Sequence, residues 1–148
     1  MRFSQIIFVK LVIPSGMKDR QSNNRLVKSL VNSGSSESIL TKAKSDKLPV
    51  KKTKQEGQCS TAAGVFTTNP KTATSFRFPE LHATKLINQS LHIVDLNIDC
   101  YDMIIGCDLI ISLCIEIHGS DMTIHLDDAS IPWHDIDSTT NYVFEISQ

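Results

Sequence analysis

The chain has 148 residues, 41% of them apolar, and a formal net charge of -1. That is apolar material for one core, so a single domain is expected, and no run is long and apolar enough to cross a bilayer as a helix. There is no internal repeat and no low-complexity tract.

The small net charge conceals a division along the chain. Through Lys85 all 15 Lys and Arg stand against five acids, a balance of +10; beyond it are eleven acids and no Lys or Arg, a balance of -11. In one compact fold such halves interleave, so mutual compensation is expected rather than two separate binding faces. The four cysteines (Cys59, Cys100, Cys107 and Cys114) include no C-x-x-C pair. They read as free thiols of an intracellular, cytoplasmic protein, with no structural zinc, and no metal or cofactor is expected.

Near the N-terminus, Arg2 followed by an apolar run has the outline of a signal peptide. Lys10 interrupts that run and no small-residue cleavage site follows, so Gln5 to Ile13 reads as a first strand, closed by Pro14-Ser15-Gly16. The polar stretch Met17 to Asn24 is a loop, and Arg25 to Val31 returns as a second, antiparallel strand. It leads into the small polar residues Asn32-Ser33-Gly34-Ser35-Ser36, a sharp turn in which a glycine is at home.

Ile39-Leu40 resumes apolar character, and Thr41 is placed to cap a short helix through Lys47 that Pro49 stops. Six lysines fall between Lys42 and Lys54. No aromatic lies among them to stack on bases, so they predict a solvated face and no nucleic-acid partner. Gln58 to Thr68, with Ala62-Ala63-Gly64 at its centre, predicts two short strands meeting at a small, mobile tip. Thr72, Thr74, Phe76 and Phe78 alternate with Ala73, Ser75 and Arg77 in a strand ended by Pro79. Leu91 to Leu96 is another strand. Met103 to Ile105, apolar on both faces, should be central and buried.

Asp108 to Leu113 then forms one or two helical turns, and Ile115–Ile117 pairs with Met122–Leu126 across Gly119-Ser120-Asp121. His118 and His125 can face each other across that hairpin, though exposure or partial burial accounts for them more simply. Asp127-Asp128 are turn residues. Many short strands with few helical turns predict an all-β fold, a small closed barrel.

Asn32-Ser33-Gly34 on the end of a strand, and Ile104-Ile105-Gly106-Cys107-Asp108-Leu109 much later, together resemble the single-lobe aspartic proteases of retroviruses and gypsy-type retrotransposons. The resemblance spans roughly Gln5 to Trp133. It implies a retropepsin-like lobe over residues 1–133, followed by a polar tail or linker over 134–148, with Asp128 to Pro132 as the closing segment. It also implies an obligate homodimer acting on a peptide or polyprotein substrate, because one chain supplies one catalytic triplet. By position, Asn32 stands where the catalytic aspartate belongs, with Ser33 and Gly34 holding the loop. Ala62, Ala63 and Gly64 would be a flap over the substrate, and Ile104, Ile105 and Gly106 would back the site.

Three positions depart from the family pattern. Asn32 carries no shareable proton and no basic oxygen, so it cannot serve as general base. Cys107 replaces an arginine whose planar fork holds several partners. Cys114 occupies a post-helical position that suits glycine. The expected activity is polyprotein cleavage in ancestry and silence as written. The alternative is a non-catalytic peptide-binding or dimerisation module derived from such a protease.

Overall fold

The computed structural model describes residues 3–12, 24–45, 48, 50–61, 64–95 and 101–137. In chain order these form β1 (Phe3–Ser4), β2 (Ile6–Val12), β3 (Asn24–Val31), β4 (Ile39–Thr41), a 3-10 turn (Lys42–Ser45), β5 (Val50–Thr61) and β6 (Gly64–Phe78). There follow β7 (His82–Val94), β8 (Met103–Ile105), α1 (Cys107–Ser112), β9 (Glu116–His118), β10 (Thr123–Leu126), β11 (Ala129–Pro132) and β12 (His134–Asp135).

Six strands close into a barrel in the order β2-β3-β8-β4-β7-β6, with β6 returning to β2. The length of β6 makes closure possible. Its first part, Gly64 to Thr72, pairs with β5, while Ser75 to Arg77 pair with β2. A β9-β10-β11 sheet and a two-stranded β1–β12 sheet complete the fold.

Branched and aromatic side chains fill the barrel, as their fit to a pleated half-buried surface favours. From β2, Ile7, Val9 and Leu11 join Val27, Val31, Leu40, Phe76, Phe78, Leu91, Met103 and Ile105 in one core. Phe76 and Phe78 meet edge to face at 5.7 Å, a geometry that aromatic quadrupoles favour. The alternation expected over Thr72–Phe78 is the observed one, with Ala73 exposed and Ser75 and Arg77 partly exposed between buried neighbours. Met103–Ile105 is central and buried, between β3 and β4.

Five expectations are corrected. Thr41 does not cap a helix; it is the last residue of β4, paired with Val94, because strand pairing runs one residue further. The helix expected to reach Lys47 is a single 3-10 turn closed by the Ser45 hydroxyl donating to Lys42 O at 2.7 Å. The hairpin centred on residues 62–64 is much longer than Gln58 to Thr68, and β7 starts nine residues before Leu91. Finally, strand pairing continues for two residues past Trp133. His134 and Asp135 pair with Ser4 and Phe3, and His134 packs edge to face on Phe8 at 5.1 Å. The His134 ring also meets Glu80 at 2.8 Å, and Glu80 accepts the Phe8 N–H at 3.3 Å.

The two charge halves do interleave. Lys85 lies 3.1 Å from Asp127 and Lys42 lies 3.9 Å from Asp95, each a first-half cation on a second-half acid. Exposed pairs of this kind contribute at most about 1 kcal/mol each.

After α1 the chain turns with Cys114 at φ 53°, the left-handed region expected of this position. A β-carbon there costs about 1–2 kcal/mol relative to glycine. Cys114→Gly is therefore expected to raise unfolding stability by about 1 kcal/mol. Urea denaturation would show a higher midpoint at unchanged slope, and an unchanged or lower midpoint would refute the strain at this residue.

Candidate functional site

The site begins with a topological demand. β3 runs parallel to β8, with Val31 opposite Ile105, while β4 runs antiparallel along the other edge of β8, with Ile39 opposite Ile104. Two strands consecutive in sequence are thus separated by a third inserted between them. The connection from Asn32 to Ser38 has to cross over the end of β8, directly above Gly106.

That crossing leaves no space for a side chain. A β-carbon on Gly106 would stand 2.5 Å from Glu37 O and 2.9 Å from Ser35 O. Main chain meets main chain instead: the Cys107 N–H donates to Ser35 O at 2.8 Å, and the Asp108 N–H donates to Ser36 O at 3.3 Å. From the other side, the Asn32 N–H donates to Ile105 O at 2.9 Å.

Within the loop, Asn32 O accepts the Ser35 N–H at 3.1 Å, and Asn32 Oδ1 accepts the Gly34 N–H at 2.8 Å. The second bond is an Asx turn, the local use of a short polar side chain that favours Asn and Asp in turns. Ser33 and Gly34 are exposed and Asn32 is partly so, hence the tip of the loop is presented to solvent while its base is fixed. The Cys107 thiol lies 3.1 Å from Ser33 O, a weak donor to the same loop.

Asp108 locks the base. Its Oδ1 accepts the Ser38 hydroxyl at 2.6 Å, and its Oδ2 accepts the Ser38 N–H at 3.0 Å and the Gln89 amide at 3.3 Å. The Ser38 hydroxyl in turn accepts the Gly106 N–H at 2.9 Å. A carboxylate in the first turn of α1 also sits favourably against the helix dipole. Ser38, Gln89 and Asp108 were not assigned site roles from sequence. Only Asp108 carried a signal, as part of the Ile-Ile-Gly-x-Asp-Leu pattern.

Ile105 is fully buried in the main core, whereas Ile104 packs with Ile39 and Val94 in a second small cluster against Tyr101. Ala62 and Ala63 lie outside the described residues. Gly64 opens β6, paired with Thr61 across the hairpin.

Beside the loop, buried His92 directs Nε2 at the Glu37 carboxylate, and its Nδ1 has no hydrogen-bond partner among the described residues. Burial holds the imidazole below its usual 6.5, opposed by Glu37, reinforced by Lys71 and opposed again by Asp108. Nε2–H donating to Glu37 leaves the unpartnered nitrogen bare, which costs less than burying an unpaired N–H.

A six-stranded barrel with this interlocked loop and strand-to-helix junction is the retropepsin-like single-lobe fold. Among solved structures, the chain is similar to the retroviral protease-like domain of Ddi1 from Leishmania major, with a TM-score of 0.58, 16% identity, and coverage of 94% of this chain and 99% of that one. A protein of unknown function from Legionella pneumophila matches more remotely, with a TM-score of 0.41, 13% identity, and coverage of 74% and 85%. No protein-family model and no curated protein matches the sequence. Among the described residues, no helix is long and apolar enough to cross a membrane.

Gly106→Ala is expected to destabilise the fold by about 3 kcal/mol, since the obstructing atoms are backbone and cannot swing aside. Chemical denaturation measures it, and a cost within error of zero would contradict the close approach. The folded chain holds His92 less basic than the unfolded chain does. Its contribution is intact above pH 6.5 and is lost as the pH falls toward the folded value. Stability should therefore decline as the pH falls below about 7, and His92→Gln should flatten that slope. An equal slope in the variant would remove His92 as the cause.

Proposed function

We propose that this chain is the lobe of a gypsy-type retrotransposon aspartic endopeptidase, formed to pair with a second copy and silent in hydrolysis because Asn32 stands at the catalytic position. Aspartic proteases activate water between two carboxylates that share a proton, since like charges so close cannot both ionise. One carboxylate takes the water's proton while the protonated one polarises the scissile carbonyl. One chain offers one such position, so the pair would be assembled across a two-fold axis. An amide has neither the basic oxygen nor the proton.

The observation that carries this reading is the Asx turn. Asn32 Oδ1 takes the Gly34 N–H at 2.8 Å, a bond that a carboxylate oxygen would make equally well. The loop geometry is thus compatible with the acid while the chemistry is not. Ser33 and Gly34 would shape the loop, Ala62, Ala63 and Gly64 would cover a peptide, and Ile104, Ile105 and Gly106 would support the floor.

The same observation favours a second reading, a peptide-binding or dimerisation module without hydrolysis. Two facing amides carry no like-charge repulsion, so pairing would not need a shared proton. For both readings the location is intracellular and the partner a second copy.

Asn32→Asp decides the main reading. The unmutated chain is expected to leave peptide substrates intact. The variant should cleave them at mildly acid pH, at least about a thousandfold faster, with inhibition by a transition-state analogue. Cleavage by the unmutated chain with that inhibitor profile would overturn the silence. Calorimetry of peptide binding to the unmutated chain separates a module that still binds from one that does not.

A further inference from the structure

Away from the loop, the hairpin of β9 and β10 presents a different chemistry. Its register places Glu116 opposite His125 and His118 opposite Thr123. Alternation sends Ile117 and Ile124 to the core side, where Ile124 is fully buried and Ile117 packs against the core. Glu116, His118 and His125 are left together on the outer face. A carboxylate oxygen of Glu116 and one ring nitrogen from each histidine all lie within 4.8 Å of one another.

We propose that Glu116, His118 and His125 form a binding site for one divalent transition-metal ion of the zinc class. Two imidazoles and a carboxylate are the ligands that borderline cations take, and three protein ligands leave a fourth position for water. The Glu116 Oε2 to His118 Nε2 separation is 3.4 Å. A tetrahedral centre with bonds of about 2.1 Å has ligand edges of about 3.4 Å.

His125 is oriented by a second tier of contacts. Asp121, ionised at neutral pH, can only accept, so the Thr123 hydroxyl spends its proton on Asp121 Oδ1 at 2.7 Å. Thr123 Oγ1 then has only lone pairs to offer His125 Nε2 at 3.0 Å, so Nε2 carries the hydrogen and Nδ1 keeps the free lone pair. Outer hydrogen bonds that select the tautomer are the usual support of a metal-bound histidine. The His118 and His125 rings now stack at 4.1 Å with 28° between their planes. They would splay by side-chain rotation to converge on an ion, a small change for half-exposed residues. The ion would clip β9 to β10, whose Ile124 and Leu126 anchor the hairpin in the core.

The test is titration of the purified chain with zinc chloride by calorimetry and with cobalt(II) by visible absorption. Expected are saturation at one equivalent, cobalt d–d bands without a thiolate charge-transfer band, and a zinc-dependent rise in Tm. His118→Ala and His125→Ala should each weaken binding by about a hundredfold, and Thr123→Val by about tenfold, while His134→Ala leaves it unchanged. Glu116→Gln, which keeps the side-chain shape, should also weaken binding in a variant whose circular dichroism matches the parent. Absence of saturable binding, a thiolate band, or undiminished affinity in the double histidine variant would overturn the site.

Discussion

One steric constraint governs the region of interest: two backbones approach at Gly106 more closely than any side chain permits. The approach follows from the insertion of β8 between β3 and β4, which obliges the Asn32–Ser38 connection to cross the end of β8. Once that crossing exists, the main-chain donors and acceptors it buries must find partners or cost about 1–3 kcal/mol each. Ser38 and Asp108 meet this demand together. The serine hydroxyl takes the Gly106 N–H, and the carboxylate takes both donors of the serine. The shape of the loop is therefore a product of topology first and of side chains second.

Much of this was legible in the sequence because the informative residues are local. Asn32-Ser33-Gly34 announces a turn, the apolar triplet Met103–Ile105 announces a central strand, and the alternation from Thr72 to Phe78 announces one wall of the barrel. The position of Cys114 was readable for the same reason, since the residue after a helix commonly adopts positive φ. The number of short strands joined these fragments into a closed barrel, and the resemblance identified it as a single lobe.

What the sequence concealed has a common physical cause. Of His82–Ser90 only Ile87 is buried, so this part of β7 has no apolar period to reveal it; its strand character comes from pairing with β6. The lysine-rich start of β5 is strand for the same reason, imposed by a neighbour rather than by its own composition. His134 and Asp135 look like the beginning of a polar tail, yet the His134 ring is mostly covered, through contacts with Phe8 and Glu80 from distant parts of the chain. The Ser38–Gln89–Asp108 cluster joins residues up to 70 positions apart, and nothing in a linear reading brings them together.

The Asx turn at Asn32 has a consequence for how such a domain ages. Position 32 contributes one acceptor oxygen to the architecture, and both amide and carboxylate possess one. A lineage can therefore exchange one for the other at this residue without its product being cleared as misfolded, which leaves an intact scaffold on which selection can act.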